Sequence, residues 1–237
     1  CVTNLNAALK KMISEQQTYN NKVIGGIILT IVLIFFLTLF LTPLLKLTEA
    51  SNTSIFLYSR LFCWLSLILI YLYSLRVEKQ NFLIWTETKY SFGYYLKSII
   101  STLFLTFGIL ALITITIRLD KININNSRLE EIVEVLKNNK SLLIFTALTA
   151  GVTEELIFRG YIMPRLEQLI KNKYLIIFLS ALFFGIAHIG HQSITKMILI
   201  FIIGIIFGTH YYKYRNIKIL IISHFIWDLI GLTLKTL

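Results

Sequence analysis

Long apolar runs, each close to twenty residues and separated by short polar intervals, constrain this chain more than any other feature. A helix needs about 20 apolar residues to cross a bilayer. On that basis the 237-residue sequence divides into seven expected spans, at 23–45, 55–75, 98–117, 142–163, 174–192, 194–213 and 217–235. The intervals leave no room for a soluble domain, so the expected fold is all-α, a polytopic helical bundle of the membrane. Residues 1–22 are polar and read as a peripheral segment. The longest interval holds "SRLEEIVEVLKNN", in which Ser127 and Glu130 have capping-box spacing. Leu129, Ile132, Val133 and Leu136 then form the stripe of an amphipathic helix lying on the membrane or on neighbouring spans.

Composition agrees, with 56% hydrophobic residues and a mean hydropathy of +0.74. The net charge of +11 comes from basic residues placed between apolar runs rather than along one polar face. That pattern suits anionic lipid headgroups and topogenic signalling, not nucleic acid. With seven spans, fourteen Lys and Arg fall on the side of the N-terminus and eight on the other, which puts the N-terminus in the cytoplasm of a cell-membrane protein. Cys1 and Cys63 form no disulfide framework or cysteine metal site, and Cys1 reads as a trimmed or lipidated terminus.

Against this apolar background, "TAGVTEELIFRG" at 149–160 puts two glutamates and an arginine inside a span. A charge at the bilayer centre costs at least ~2.5 kcal/mol, so intramembrane ionisable groups are functional candidates. Glu154, Glu155 and Asp228 are the acidic residues within spans, and His188 and His224 lie well inside theirs. At ~1.5 Å of rise per residue from Arg165, Lys173 and Lys218, these groups fall in a band near the middle of the slab. Glu155 and Arg159, four apart, share a helix face and can pair. Glu154 points away from that pair and is the free carboxylate, a candidate general base. His224 and Asp228 are likewise four apart, and Phe184 lies one turn below His188. His191, three residues after His188, reads as a loop-edge residue, His210 as an interfacial anchor, and Gly204 with Gly208 as a helix-packing pair. Arg60 is expected to snorkel or pair, and Pro164 to end or kink its helix just past the site.

Three motifs, "EELIFR" (154–159), "FGIAH" (184–188) and "HFIWD" (224–228), resemble in order the EExxxR, FxxxH and HxxxN/D motifs of the CAAX protease and bacteriocin-processing (CPBP) family. The glycine-bearing stretch 204–224 is similar as well, and the resemblance covers about residues 140–232. It implies a catalytic membrane domain at 140–237, with 23–139 supplying accessory helices. It implies an intramembrane endopeptidase opening toward the cytoplasm and acting on prenylated CAAX-type or leader/bacteriocin-type peptides. By motif, Glu154 activates a water, His188 helps hold it, His224 and Asp228 stabilise the oxyanion, and Glu155, Arg159 and Phe184 support the site. Asp228 departs from the Asn of many relatives. An ionised Asp repels an oxyanion, so Asp228 is protonated, orients His224, or ligates metal. Glu154, His188 and His224, with Asp228 as a fourth, form an N/O donor set of zinc type, which leaves a divalent metal and a metalloprotease open. Two rivals stand beside this reading, a catalytically idle immunity or scaffold protein of the same fold and a transporter or proton relay. The sequence sets no oligomeric state.

Overall fold

The computed structural model describes residues 2–119, 127–188 and 194–237, and all regular structure among them is helical. Helix α1 begins at Val2–Phe36 and continues through a wide turn, Leu37–Leu41, into Thr42–Lys46. Helix α2 is Asn52–Tyr73 with a wide last turn, Ser74–Glu78, and α3 is Phe92–Leu119. The expected amphipathic helix is α4, Ser127–Lys137, with Leu136 fully buried on its apolar side. Helix α5 runs from Lys140–Thr149 through Ala150–Glu154 and Leu156–Ile162 to Met163–Leu169. Helices α6 (Lys173–Ile186), α7 (Ile194–Tyr214) and α8 (Ile217–Thr236) follow.

Among the described residues, six helical stretches are long and apolar enough to cross a membrane: Leu9–Lys46, Asn52–Glu78, Phe92–Leu112, Lys140–Leu169, Met197–Tyr214 and Ile217–Thr236. The protein is thus a multi-pass helical bundle, close to the seven spans expected. The difference is α6. Its 14 residues rise only about 21 Å, short of the ~30 Å hydrocarbon layer. The polar segment 1–22 is not set apart either, because α1 runs through it without a break. Cys1, His191 and the Ser127 side chain of the expected capping box lie outside the described part.

Asparagine starts all three helices that carry the motifs. The side chains of Asn139, Asn172 and Asn216 accept hydrogen bonds from the backbone N–H groups of Leu142, Leu175 and Ile219. Each satisfies a donor that the first helical turn leaves without a partner. Helix α5 changes pitch in its middle, at the stretch bearing Glu154 and Arg159, where the backbone bonds widen to i→i+5. Such wide turns often mark functional sites. Pro164 sits where the ordinary α pitch resumes, and it does not end the helix.

Packing places these helices closely. Helices α6 and α7 pack closely, with Gly204 against Ala181 and Gly208 against Ile177. Gly151 brings α5 onto the backbone of α8, its missing Cβ site lying 2.8 Å from Phe225 N and 2.9 Å from Ile221 O. The main core gathers Tyr161, Ile162, Met163, Ile176, Phe207 and Leu220. Outward-facing Phe92, Phe104 and Leu112 on α3, with Ile28 and Val32 on α1, leave an apolar belt that suits lipid.

A second buried ion pair ties the opposite end. Arg165 and Glu78, both 0% exposed, meet at 2.8 Å, and Tyr161 donates to the same Glu78 carboxylate. Arg165 also donates to the backbone carbonyls of Phe82 and Asn81 in the irregular segment after α2. Arg165 therefore is not the exposed boundary charge that the span count supposed.

We expect Gly151→Ala to separate α5 from α8 and cost about 1–3 kcal/mol, as overpacking does. Thermal unfolding in detergent would show a lowered midpoint, whereas Gly93→Ala, with nothing within 4 Å of its Cβ site, leaves it unchanged.

Candidate active site

Three helices bring the motif residues together. Glu154 comes from the wide turn of α5, His188 from just past the end of α6, and His224 and Asp228 from successive turns of α8. A single oxygen, Glu154 Oε2, stands 3.9 Å from His188 Nε2 and 3.9 Å from His224 Nε2. Asp228 Oδ2 lies 3.8 Å from the same His224 nitrogen. These separations are too long for direct hydrogen bonds and match groups that share one water molecule.

The far side of each imidazole is fixed. His188 Nδ1 lies 2.8 Å from the carbonyl oxygen of Phe184. A carbonyl only accepts, so Nδ1 carries a proton, and the Nε2 side of the ring is left facing Glu154. His224 Nδ1 lies 2.7 Å from Glu155 Oε1, which also accepts from Arg159 at 2.9 Å. Glu155 and Arg159 are both 0% exposed and form the expected i,i+4 pair. Arg159 further donates to the carbonyl of Gly204 on α7. With Nδ1–H committed to Glu155, His224 presents an Nε2–H only as the imidazolium.

Aromatic rings close the buried side. The Phe184 ring lies edge-on to His188 at 5.0 Å, and the Arg159 guanidinium sits 4.4 Å above it. Phe207, which the sequence reading did not single out, packs against His224 at 5.9 Å and beneath Arg159 at 5.6 Å. It has no charge or motif position to mark it.

The four motif side chains line a cavity of about 560 Å³. Much of its wall comes from outside the motifs: Phe56, Arg60 and Cys63 of α2, Leu37 of α1 and Val135 of α4. The cavity runs to the end of the bundle bearing Lys46, Asn52, Glu131 and Lys235, away from the N-terminal end of α1. That polar end of the cavity and the N-terminal end of α1 thus lie at opposite ends of the bundle. His210 stays apart, bonded to Ser98 Oγ at 2.8 Å between α3 and α7.

The zinc alternative can be tested on the donor spacing. Ligands of tetrahedral zinc lie about 2.0–2.1 Å from the metal, hence roughly 3.3–3.4 Å from one another. The separations of 3.8 and 3.9 Å are wider. Among the described residues no group of three or more His, Cys, Asp or Glu is set to hold a metal ion. As placed, the donor set does not fit.

Residues 137–230 match the family described as type II CAAX prenyl endopeptidase Rce1-like. The match is consistent with the CPBP resemblance and supports a CAAX-type intramembrane peptidase. No curated protein and no solved structure matches the chain. The matched segment contains Glu154 through Asp228 and leaves out α1, α2 and α3, so the cavity wall from α1 and α2 lies outside the match.

Because Glu155 holds both Arg159 and His224, Glu155→Ala is expected to lower folded yield and also turnover per folded molecule, the latter by about 10-fold or more, as for a carboxylate that orients an imidazole. Turnover normalised to folded protein separates this from a purely structural role.

Proposed function

We propose that the protein is an intramembrane endopeptidase that hydrolyses a peptide bond with a water activated by Glu154. The observation that supports this most is the placement of Glu154 Oε2 at 3.9 Å from both cavity-facing imidazole nitrogens. A water between them gives one hydrogen bond to Glu154 and one to the His188 Nε2 lone pair, leaving its own lone pair free toward a peptide carbonyl. Glu154 takes a proton as the water oxygen bonds to the carbonyl carbon. The negative charge that develops on the carbonyl oxygen meets the imidazolium Nε2–H of His224, which Glu155 supports from behind. Glu154 then returns the proton to the leaving nitrogen as the C–N bond breaks, giving a carboxylic acid and an amine.

Asp228 takes the donor role in this scheme. The orienting position behind His224 belongs to Glu155, and the donor spacing does not fit a zinc ligand set. What remains of its three roles is the carboxylic acid, whose O–H joins His224 Nε2–H at the oxyanion. The substrate class follows the family segment, namely CAAX-type prenylated peptides or leader-type peptides, and the apolar cavity walls suit an apolar chain.

Peptide cleavage in detergent tests the scheme. Glu154→Gln is expected to lose about 10²–10⁴-fold in kcat. Asp228→Asn keeps a donor and is expected to stay within about tenfold of the native rate, whereas Asp228→Ala loses about 10²–10³-fold, as when one oxyanion donor is removed. Full activity in a folded Glu154→Gln protein overturns the assignment. Loss of activity in Asp228→Asn as severe as in Asp228→Ala removes the donor role.

A further inference from the structure

The line of side chains that α1 presents to the cavity changes character at its wide turn. Leu33 and Leu37, four apart on one helix face, both line the cavity. At ordinary α pitch that line would continue at Leu41 and Leu45. The turn Leu37–Leu41 adds one residue, and both the backbone N–H and the Oγ1 hydroxyl of Thr42 donate to the Leu37 carbonyl. The line therefore passes to Thr42 and Lys46, which put a hydroxyl and a cation on the cavity wall where regular pitch would put two leucines. Helix α4 meets that cation. Its Leu136 is fully buried with Leu142 and Leu143 of α5, which anchors the helix, while Glu131, Ile132 and Val135 line the cavity. Lys46 Nζ lies 3.4 Å from Glu131 Oε1 at the polar outer end.

We infer that the turns of α1 beyond its wide turn form a gate against α4, and that the Lys46–Glu131 pair is the latch holding it shut. The gate's effect on turnover rests on the endopeptidase reading; its geometry does not. The two side chains are 51% and 38% exposed, so water and salt reach the pair and its strength is modest. A contact of that strength is one an entering substrate can release. The pivot is the wide turn itself, where the backbone ladder is locally stretched and a helix bends most readily. Pro43, just beyond it, removes one more backbone donor. The ion pair at the other end of the bundle is of a different kind: Glu78 and Arg165 are both 0% exposed, and that end stays closed. Lys235 also lines the outer end of the cavity, on α8, which has no such wide turn.

Entry through the gate can be followed without cleavage, because the free Cys63 thiol lines the cavity about 16 Å inward of Asn52 along α2. The full chain in detergent is treated with a water-soluble methanethiosulfonate, and modification of Cys63 is timed by mass spectrometry of the peptide that carries it. Lys46→Gln and Glu131→Gln are each expected to speed labelling about 2–5-fold, the range for losing one exposed ion pair. The exchanged pair, Lys46→Glu with Glu131→Lys, returns the native rate, and Lys235→Gln keeps it. Raising NaCl from about 0.05 to about 1 M speeds labelling of the native protein but not of Glu131→Gln. Unchanged labelling in the two single variants, a fast rate in the exchanged pair or in Lys235→Gln, or an equal salt response in native protein and Glu131→Gln overturns the latch. For turnover, Lys46→Cys with Glu131→Cys is bridged by a reducible bifunctional thiol reagent. The bridged protein is expected to lose about 10-fold or more in kcat/KM for peptide cleavage, as when a lid cannot open, and to regain it on reduction. Undiminished cleavage by the bridged protein, or the same loss in either single cysteine variant given the reagent, overturns the gate. Absence of cleavage in every form, native included, defeats the endopeptidase reading instead, and Cys63 labelling then decides the gate alone.

Discussion

The contact on which the site depends is a buried carboxylate oxygen shared between a guanidinium and an imidazole. Glu155 Oε1 accepts from Arg159 at 2.9 Å and from His224 at 2.7 Å, on side chains that are 0%, 0% and 9% exposed. Any one of these groups alone in hydrocarbon is costly, and an ion pair there repays its desolvation only when its geometry is good. The pair fixes the face that α5 turns toward α8, and Gly151 lets the two backbones approach. His224 is thereby held on its Nδ1 side and left free on its Nε2 side. Arg159, lying over Phe184 and Phe207, carries the same constraint to α6 and α7.

The apolar runs and the three motifs made the helical class, the convergence of Glu154, His188, His224 and Asp228, and the Glu155–Arg159 pair legible in the sequence. Spans are set by local hydropathy, and an i,i+4 pair is a property of one helix. Contacts with large sequence separation were not legible. Arg165 read as a boundary charge because Glu78, its partner, lies 87 residues earlier. The same limit hid the bond from His224 to Glu155, so that the second glutamate appeared only structural. Phe207 carries no signal at all, since an aromatic in an apolar span is ordinary. The expected span 174–192 is longer than α6, because the apolar composition runs on toward His188 whereas the helix ends at Ile186.

The helices outside the matched segment do more than surround it. Trp64 of α2 donates to Thr149 of α5 at 2.9 Å, and Phe107 of α3 packs on Trp227 at 4.4 Å. These contacts lean α2 and α3 against the two helices that carry Glu154 and His224. Without α1 and α2 the cavity would lose the wall bearing Leu37, Phe56, Arg60 and Cys63, and the polar centre would face lipid directly. The wall enclosing Glu154 therefore depends on helices that lie outside the matched segment.

The direction of that access links the fold to topology. The cavity follows the half of the bundle where α1 ends, α2 begins and α8 ends, and it lies opposite the buried Glu78–Arg165 pair. The end bearing Glu78 is closed by the segment after α2, whose Trp85 bonds to Glu167 and whose Glu87 accepts from Tyr211 and from the backbone of Ile217. One end is thus stitched shut by long-range polar contacts, while the other carries the exposed Lys46, Glu131 and Lys235 around an opening. The membrane face at which it lies follows from which side holds the N-terminus of α1, because a single pass through α1 separates the two.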